Sequence, residues 1–432
     1  MIKRIALVWS GWREHAIASK LLHEGVRVFA LPWNPWIEKE WATLVEFEGG
    51  LNGLVESIKK LAIDLVVVWP EKYLCDGIVN ALKDTGINVL WPEQAASFLE
   101  WDKENAKIFM QQYGIPTASS QTFFNQKDVE NFLPTIKYPK VLKQSGLASG
   151  KWVKICYNSE EASLFSSAYF SDVWIPHKKL IVEDFLVWRE VSAFAFIDTI
   201  SETFKIFTTA TDHKAESDGW QWDMTWWMGT FSPAIVSEKL QKNIEMMFQN
   251  VLHWLKDSWL HYTWPLFAGL MVDENDAFNI LEFNARFWDP ETQSMLPRMQ
   301  TSLYDLMLKN AEGNLHRVDE IRFSSQKAVT VVLADPWYPR IWTHTGSIIP
   351  WLHELPQDVK VFHMGTKKWE DGSILVNGWR VLALTSVAET YKEAQKKVYS
   401  ALQIIRFWDD IPKYRTDIWS FAVENEKALI IN

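Results

Sequence analysis

The chain has 432 residues, 48% hydrophobic and 23% charged, with a formal net charge of −10 from 44 Lys+Arg against 54 Asp+Glu. This is globular composition with enough chain for two or three cored domains, and the acidic balance argues against a dedicated nucleic-acid binder while leaving room for a local phosphate pocket. No apolar stretch reaches the ~18 residues of a membrane span; the start, Met1–Val8, reads as a strand rather than a signal peptide, and the distant Cys75 and Cys156 match no metal spacing and suggest a reducing cytosol, so a cytoplasmic protein is expected.

In chain order, Ile5–Val8, Val26–Leu31, Leu65–Val68 and Asn88–Leu90 read as strands, with helices over Arg13–Glu24, Gly53–Leu61 and Asp76–Thr85 between them. Such βαβ alternation implies a mostly parallel sheet. Lys103–Tyr113 reads as a helix stopped by Gly114 and Pro116. Leu180–Phe185, Glu190–Ile197, Phe267–Asp273, Phe278–Phe283 and Ala328–Ala334 read as strands, and Thr390–Gln403 as a last helix before an irregular tail. Neither repeats nor long linkers interrupt the chain, so the domains are expected to pack together.

The 26 tryptophans exceed the 18 glycines, although an average chain is roughly 7% glycine. The tryptophans also stand in turns: Trp9 and Trp12 flank Ser10-Gly11, Trp33 and Trp36 alternate with prolines, Trp226-Trp227 precede Met228-Gly229, and Trp379 follows Asn377-Gly378. Small residues with free φ are favoured there, and core tryptophan would instead follow helix or strand periodicity.

Four segments carry candidate chemistry. In Val8–Ala16 a strand runs through Ser10-Gly11 into a helix start, a form that holds an anion on backbone N–H groups; with one glycine it equally suits an ordinary βα loop. Val141–Val153 leaves a strand at Lys143 and returns through small residues to Lys151, as a phosphate flap or as a flexible hairpin. Ile181–Glu190 is strand, short linker, strand: a nucleotide hinge with Glu190 for ribose hydroxyls, or an acidic hairpin. Leu281–Gln293 is the most specific. Glu282 and Asn284 share one face at period two and are both oxygen ligands, which suits Mg²⁺ held together with substrate phosphates. Arg286 continues that face toward a phosphoryl group.

Taken together, Arg13-Glu14-His15-Ala16, Pro70-Glu71, Lys143 with Gly146–Lys151, Asp212-His213-Lys214, Met228–Pro233, Ala268–Met271, Glu282–Gln293, Tyr338-Pro339, Phe362–Thr366, Asn377–Arg380 and Tyr414–Ile418 resemble the glycinamide ribonucleotide synthetases (phosphoribosylamine–glycine ligases) of purine biosynthesis, from Ile5 to about Trp419. The resemblance implies an ATP-grasp fold, α/β (α+β): an N-terminal parallel α/β domain over 1–101, the ATP-grasp domain over 102–322 with a mobile lid over 117–186, and a small C-terminal α+β domain over 323–432. Nineteen tryptophans fall on family glycine positions: 9, 12, 33, 36, 69, 91, 101, 152, 188, 222, 226, 227, 264, 288, 337, 351, 379, 408 and 419. One residue type replacing one other points to a UGA codon that the cell reads as glycine and that stands in this sequence as tryptophan. Ser145 and Met224 depart from the family's Asp and Asn, and Asp335-Pro336 from its small residues.

The resemblance further implies that ATP phosphorylates glycine and that 5-phosphoribosylamine attacks the resulting glycyl phosphate. It places Lys103, Lys143, Gly150 and Lys151 on ATP phosphates, Glu183, Asp184, Phe185 and Leu186 at the adenine, Glu190 at the ribose, and Glu282 and Asn284 on Mg²⁺ or Mn²⁺. Arg286, Asp289 and Asp212 are the catalytic candidates for glycine and phosphoribosylamine; Ser10, Gly11, Arg13, Glu14, His15, Asp212 and Lys214 are the substrate-binding ones. A monomer is expected, with these small molecules as its partners and neither nucleic acid nor membrane among them.

Overall fold

The structure is a computed structural model; it describes residues 3–8, 11–31, 42–68, 73, 77–82, 85–90, 99, 102–146, 152–175, 177–218, 227–339, 345–407 and 410–418. Ser10, Pro70-Glu71, Gly150, Lys151 and ten of the nineteen tryptophans lie outside the described residues.

The N-terminal sheet is wholly parallel, in the order β3 (Thr43–Leu44), β2 (Arg27–Leu31), β1 (Arg4–Val8), β4 (Leu65–Val68), β5 (Asn88–Leu90). Ile5–Val8 and Leu65–Val68 are buried throughout, as expected of strands covered on both faces. Helices α1 (Trp12–His23), α2 (Gly50–Lys60) and α3 (Ile78–Leu82) belong to this layer. Gly11 caps α1 with extended backbone, so the first free N–H groups of α1 follow the C-terminal end of the central strand. The order reverses beside β1, and in open α/β sheets that is where ligand crevices form.

A four-stranded antiparallel sheet follows helix α4 (Lys103–Gln112). Its order is β6 (Ser120–Phe123), β9 (Leu180–Asp184), β7 (Lys140–Gln144), β8 (Val153–Cys156). Helices α5 (Gln126–Phe132) and α6 (Ser159–Ser171) cover it, and a separate small core of Phe123, Val129, Leu142, Tyr169 and Val182 holds it together.

The third sheet has eight strands in the order β14 (Phe278–Asn284), β13 (Thr263–Val272), β10 (Arg189–Asp198), β11 (Thr203–Asp212), β12 (Gly229–Ser232), β15 (Lys327–Ala334), β19 (Arg380–Ala388), β16 (Val359–His363). All its pairings are antiparallel. The short β12 pairs with both β11 and β15 and makes the C-terminal strands continuous with the central ones. The strand expected from Phe267 begins at Thr263; before Phe267 only β10 pairs with it, and there Pro265 is tolerated.

Helix α7 (Glu238–Asp257) buries Leu240, Ile244, Phe248, Val251 and Leu255 at helical spacing, and Ser237 caps it by accepting from the Leu240 N–H at 3.1 Å. Its C-terminal end is closed by Trp259 at φ +56°, with N–H bonds from Trp259 to Lys256 O and from Leu260 to Leu255 O, both 2.9 Å. That is a glycine-type cap carried by an indole that is 91% exposed. Short helices α8 (Glu291–Met295) and α9 (Leu303–Ala311) follow β14, the hairpin β17 (Thr366–Lys368) with β18 (Ile374–Val376) follows β16, and α10 (Tyr391–Leu402) packs on β19 and β15. Glu24, just after α1, accepts the α9 N–H groups of Leu303 at 2.8 Å and Tyr304 at 3.1 Å, pinning the N-terminal layer to the central one.

Candidate active site

Three charge clusters line the junction of these layers. The first belongs to the four-stranded sheet. Lys143 on β7 and Lys107 on α4 share the Glu183 carboxylate of β9, at 2.7 Å and 2.8 Å. Burial would raise the Glu183 carboxyl, but Lys143 and Lys107 hold it below its ordinary value. Lys143 Nζ also donates to Leu281 O at 3.3 Å, on the strand that carries Glu282. Lys107 Nζ donates to Thr117 Oγ1 at 3.0 Å, and Thr117 Oγ1 to Ile280 O at 2.9 Å, so α4 and the start of this region are strapped to β14.

Lys103 opens α4, Asp184 is ion-paired with Lys140, and Phe185–Trp188 link β9 to β10. Ser145 Oγ donates to Asp102 Oδ1 at 3.3 Å while accepting the Glu104 N–H at 3.2 Å. An ionised aspartate there has no proton to donate to Asp102, which gives this departure from the family a local rationale.

The second cluster is acidic. The β10–β11 register that pairs Ser192 with Ala210 brings Glu190 level with Asp212. Lys214 Nζ is ion-paired with Glu190 Oε1 and stands 3.7 Å from Asp212 Oδ2. Burial, then the neighbouring Asp212, push the Glu190 carboxyl up to about 8 against the pull of Lys214. Burial also raises Asp212, with Lys214 opposing and Glu282 adding to the rise. Burial presses the Lys214 ammonium down, yet Asp212, Glu190 and Glu282 hold it above its usual range. Glu291 on α8 accepts from Ser192 Oγ at 2.7 Å, and burial lifts its carboxyl well above normal.

Glu282 and Asn284 stand at the end of β14 beside this cluster. Asn284 is 4% exposed, and its Nδ2 makes no hydrogen bond, so the fold does not consume that amide group. Among the described residues no group of three His, Cys, Asp or Glu side chains is arranged to hold a metal unaided. One carboxylate and one amide oxygen suit an ion whose remaining ligands are phosphate oxygens and water.

The third cluster joins the N-terminal layer to the eight-stranded sheet. Arg13 Nε on α1 lies 3.1 Å from Asp289 Oδ2, and its Nη1 donates to Phe287 O at 3.2 Å. Gln293 Nε2 donates to the other Asp289 oxygen at 3.0 Å. Arg286 lies over the Trp288 ring at 4.4 Å, and Arg380 at the start of β19 over the Trp227 ring at 5.9 Å. The two indoles meet edge to face at 5.0 Å, and neither buried Nε1–H finds an acceptor. Arg380 also faces Asp289 and Arg13, and burial lowers it.

His15, expected at substrate, is turned to the C-terminal strands: its Nδ1 accepts the His363 N–H at 3.1 Å and its ring stacks on that of His363. A cavity of about 700 Å³ opens there, lined by His15, His363, Pro350, Trp351 and Ile374, away from the acidic and lysine clusters.

The structure therefore brings together Arg13, Glu14, Arg286 and Asp289 in one group, and Glu190, Asp212, Lys214 and Glu282 in another. Lys107, Glu291 and Arg380 stand in these clusters although the sequence reading does not name them as site residues. Lys107 follows Lys103 by one helical turn, Glu291 lies inside the Asp289-Pro290-Glu291 run, and Arg380 closes Asn377–Arg380, so each carried a local signal.

Models of phosphoribosylglycinamide synthetase match the chain along its length: the N domain over residues 3–100, the ATP-grasp (A) domain over 101–292 and the C domain over 328–420. The chain belongs to the phosphoribosylglycinamide synthetase family. Among its relatives, the phosphoribosylamine–glycine ligase of Listeria monocytogenes is 34% identical over 97% of this chain and 99% of its own. That of Chlorobaculum tepidum is 34% identical over 94% and 96%. The crystal structure of the Thermotoga maritima phosphoribosylamine–glycine ligase superposes with a TM-score of 0.82 at 27% identity, over 96% of this chain and 99% of that one. A biotin carboxylase from Campylobacter jejuni, 15% identical with a TM-score of 0.74, shares the fold. The chain thus has an ATP-grasp architecture, with a parallel N-terminal sheet followed by antiparallel ones.

Proposed function

We propose that this chain ligates glycine to 5-phosphoribosylamine with cleavage of ATP, forming glycinamide ribonucleotide, ADP and phosphate through glycyl phosphate, in de novo purine biosynthesis. The observation that carries the reading is Lys143 Nζ donating to Leu281 O at 3.3 Å, which sets a lid lysine against the strand of Glu282 and Asn284. Lys103, Lys143 and Lys151 bind the ATP phosphates, Glu183–Leu186 take the adenine, and Glu190 takes the ribose through the oxygen not engaged by Lys214.

Glu282 and Asn284 would hold Mg²⁺, with Mn²⁺ as the other candidate. When bound, the ion supplies charge neutralisation at the phosphates. Asp212 and Lys214 orient glycine, and Arg13, Arg286 and Arg380 hold the phosphate of phosphoribosylamine near the start of α1. Closure of 117–186 over the site excludes water from glycyl phosphate. The chain acts as a cytoplasmic monomer.

In the cell, we infer, glycine stands at the nineteen tryptophan positions. Two observations support this. Trp227 and Trp351 have left-handed backbone, φ +52° and +61°, which strains a bulky residue by about 1–3 kcal/mol. Trp227 and Trp288 also fill the space between Arg286 and Arg380 with two unsatisfied indole N–H groups. By the same backbone argument Trp259, outside the nineteen, is a twentieth such position. As written, with indoles in that space, the chain reads as a catalytically silent scaffold.

The test is ADP formation by the full-length chain made in both forms. The glycine form is expected to release ADP only with glycine and phosphoribosylamine together. Dependence on bicarbonate or formate instead would assign another ATP-grasp ligase, and activity confined to the tryptophan form, or UGG at those codons, would refute the glycine reading.

A further inference from the structure

Glu14 lies on the first turn of α1, 1% exposed, and neither carboxyl oxygen accepts a hydrogen bond. Arg13 Nε is 3.5 Å away, but the same atom is nearer to Asp289, at 3.1 Å. Asp289 has both oxygens engaged, by Arg13 and by Gln293. The groups facing Glu14 are Arg13 on its own helix and Asp289 and Arg286 from the stretch after β14, with Arg380 of β19 facing Asp289 and Arg13 beyond them. A buried acceptor without a donor is destabilising by about 1–3 kcal/mol. A carboxylate among guanidiniums also weakens any phosphate they hold. Both costs are met where a ligand brings its own N–H to the carboxyl.

The ligation contains such a group. We propose that Glu14 is the base that takes the proton from the amine of phosphoribosylamine as that amine attacks glycyl phosphate; this rests on the ligase reading above. The amine lone pair forms the C–N bond, the bond from the acyl carbon to the phosphoryl oxygen breaks, phosphate leaves with that electron pair, and the N–H proton passes to a Glu14 carboxyl oxygen and then to water. Burial, partly opposed by Arg13 and reinforced by Asp289, pushes the Glu14 carboxyl up to about 7, close to the value at which a general base works best at neutral pH.

The test is kcat, and kcat/KM for phosphoribosylamine, against pH for the full-length glycine form, its E14Q variant and its E14D variant. In the parent, kcat/KM rises with pH through a break near 7 and then levels off, because the base of the free enzyme acts only when ionised. E14Q is expected to lose kcat by roughly 100-fold or more together with the break, with E14D restoring part of the rate and a displaced break. E14Q with the parental rate and break, or both variants slow with an unmoved break, would overturn the assignment. Should E14Q not fold, E14D decides alone: a displaced break supports the base and an unmoved one rejects it. A parent that makes no glycinamide ribonucleotide at any pH would fail the ligase reading instead.

Discussion

Lys143 of the four-stranded sheet donates to the carbonyl of Leu281, 3.3 Å away on the strand whose next residue is Glu282. Through that bond and the Glu183 carboxylate, the small sheet is held against β14, whose Glu282 and Asn284 the proposed ligase reading assigns to the cation of ATP. Lys143→Met is accordingly expected to raise KM for ATP by about tenfold or more and to lower kcat, in line with losing a charged hydrogen bond of about 1.5–3 kcal/mol. An unchanged KM would remove Lys143 from the nucleotide site.

Glu183 is buried between Lys107 and Lys143. Glu183→Gln leaves two lysines without their carboxylate and is expected to cost about 3–5 kcal/mol in chemical denaturation at neutral pH. The sign with pH follows from the lowered folded value of Glu183. Its stabilisation is complete above the unfolded value of about 4.3 and is lost as pH falls through the lower folded value. The stability gap between parent and variant should therefore close on acidification.

Arg380 is the C-terminal contribution to the arginine group, over the Trp227 ring and facing Asp289. In the glycine form, Arg380→Ala should raise KM for phosphoribosylamine by about 10- to 100-fold while leaving KM for ATP alone. Equal effects on both constants would point to a structural role.

Trp259 and Trp351 both sit at positive φ with exposed indoles. Replacing either by glycine in the chain as written should stabilise it by about 1 kcal/mol, since the strain relieved exceeds the entropy glycine adds to the unfolded chain. A loss of stability on Trp259→Gly would contradict its assignment as a twentieth glycine position.

Much of this was legible in the sequence. The parallel N-terminal strands announced themselves as apolar runs, and period two alone placed Glu282 and Asn284 on one face. What stayed hidden depends on contacts far apart in the chain. Nothing local in Lys107 says that it shares Glu183 with Lys143, and nothing local in His15 says that its Nδ1 accepts the N–H of His363, 348 residues away. The fusion of the C-terminal strands to the central sheet turns on β12, only four residues long. Trp259 escaped because its strain lies in a backbone angle, which a residue name does not carry.

The ligase chemistry is tested most sharply with glycine labelled with oxygen-18 in its carboxylate, supplied to the full-length glycine form with ATP and phosphoribosylamine. If the carboxylate attacks the γ-phosphorus and phosphate later leaves from the acyl carbon, each phosphate released carries one labelled oxygen for each glycinamide ribonucleotide formed. Product formation with no label in the phosphate would rule out glycyl phosphate, and with it the roles of the lid lysines and of Glu14 in the ligation.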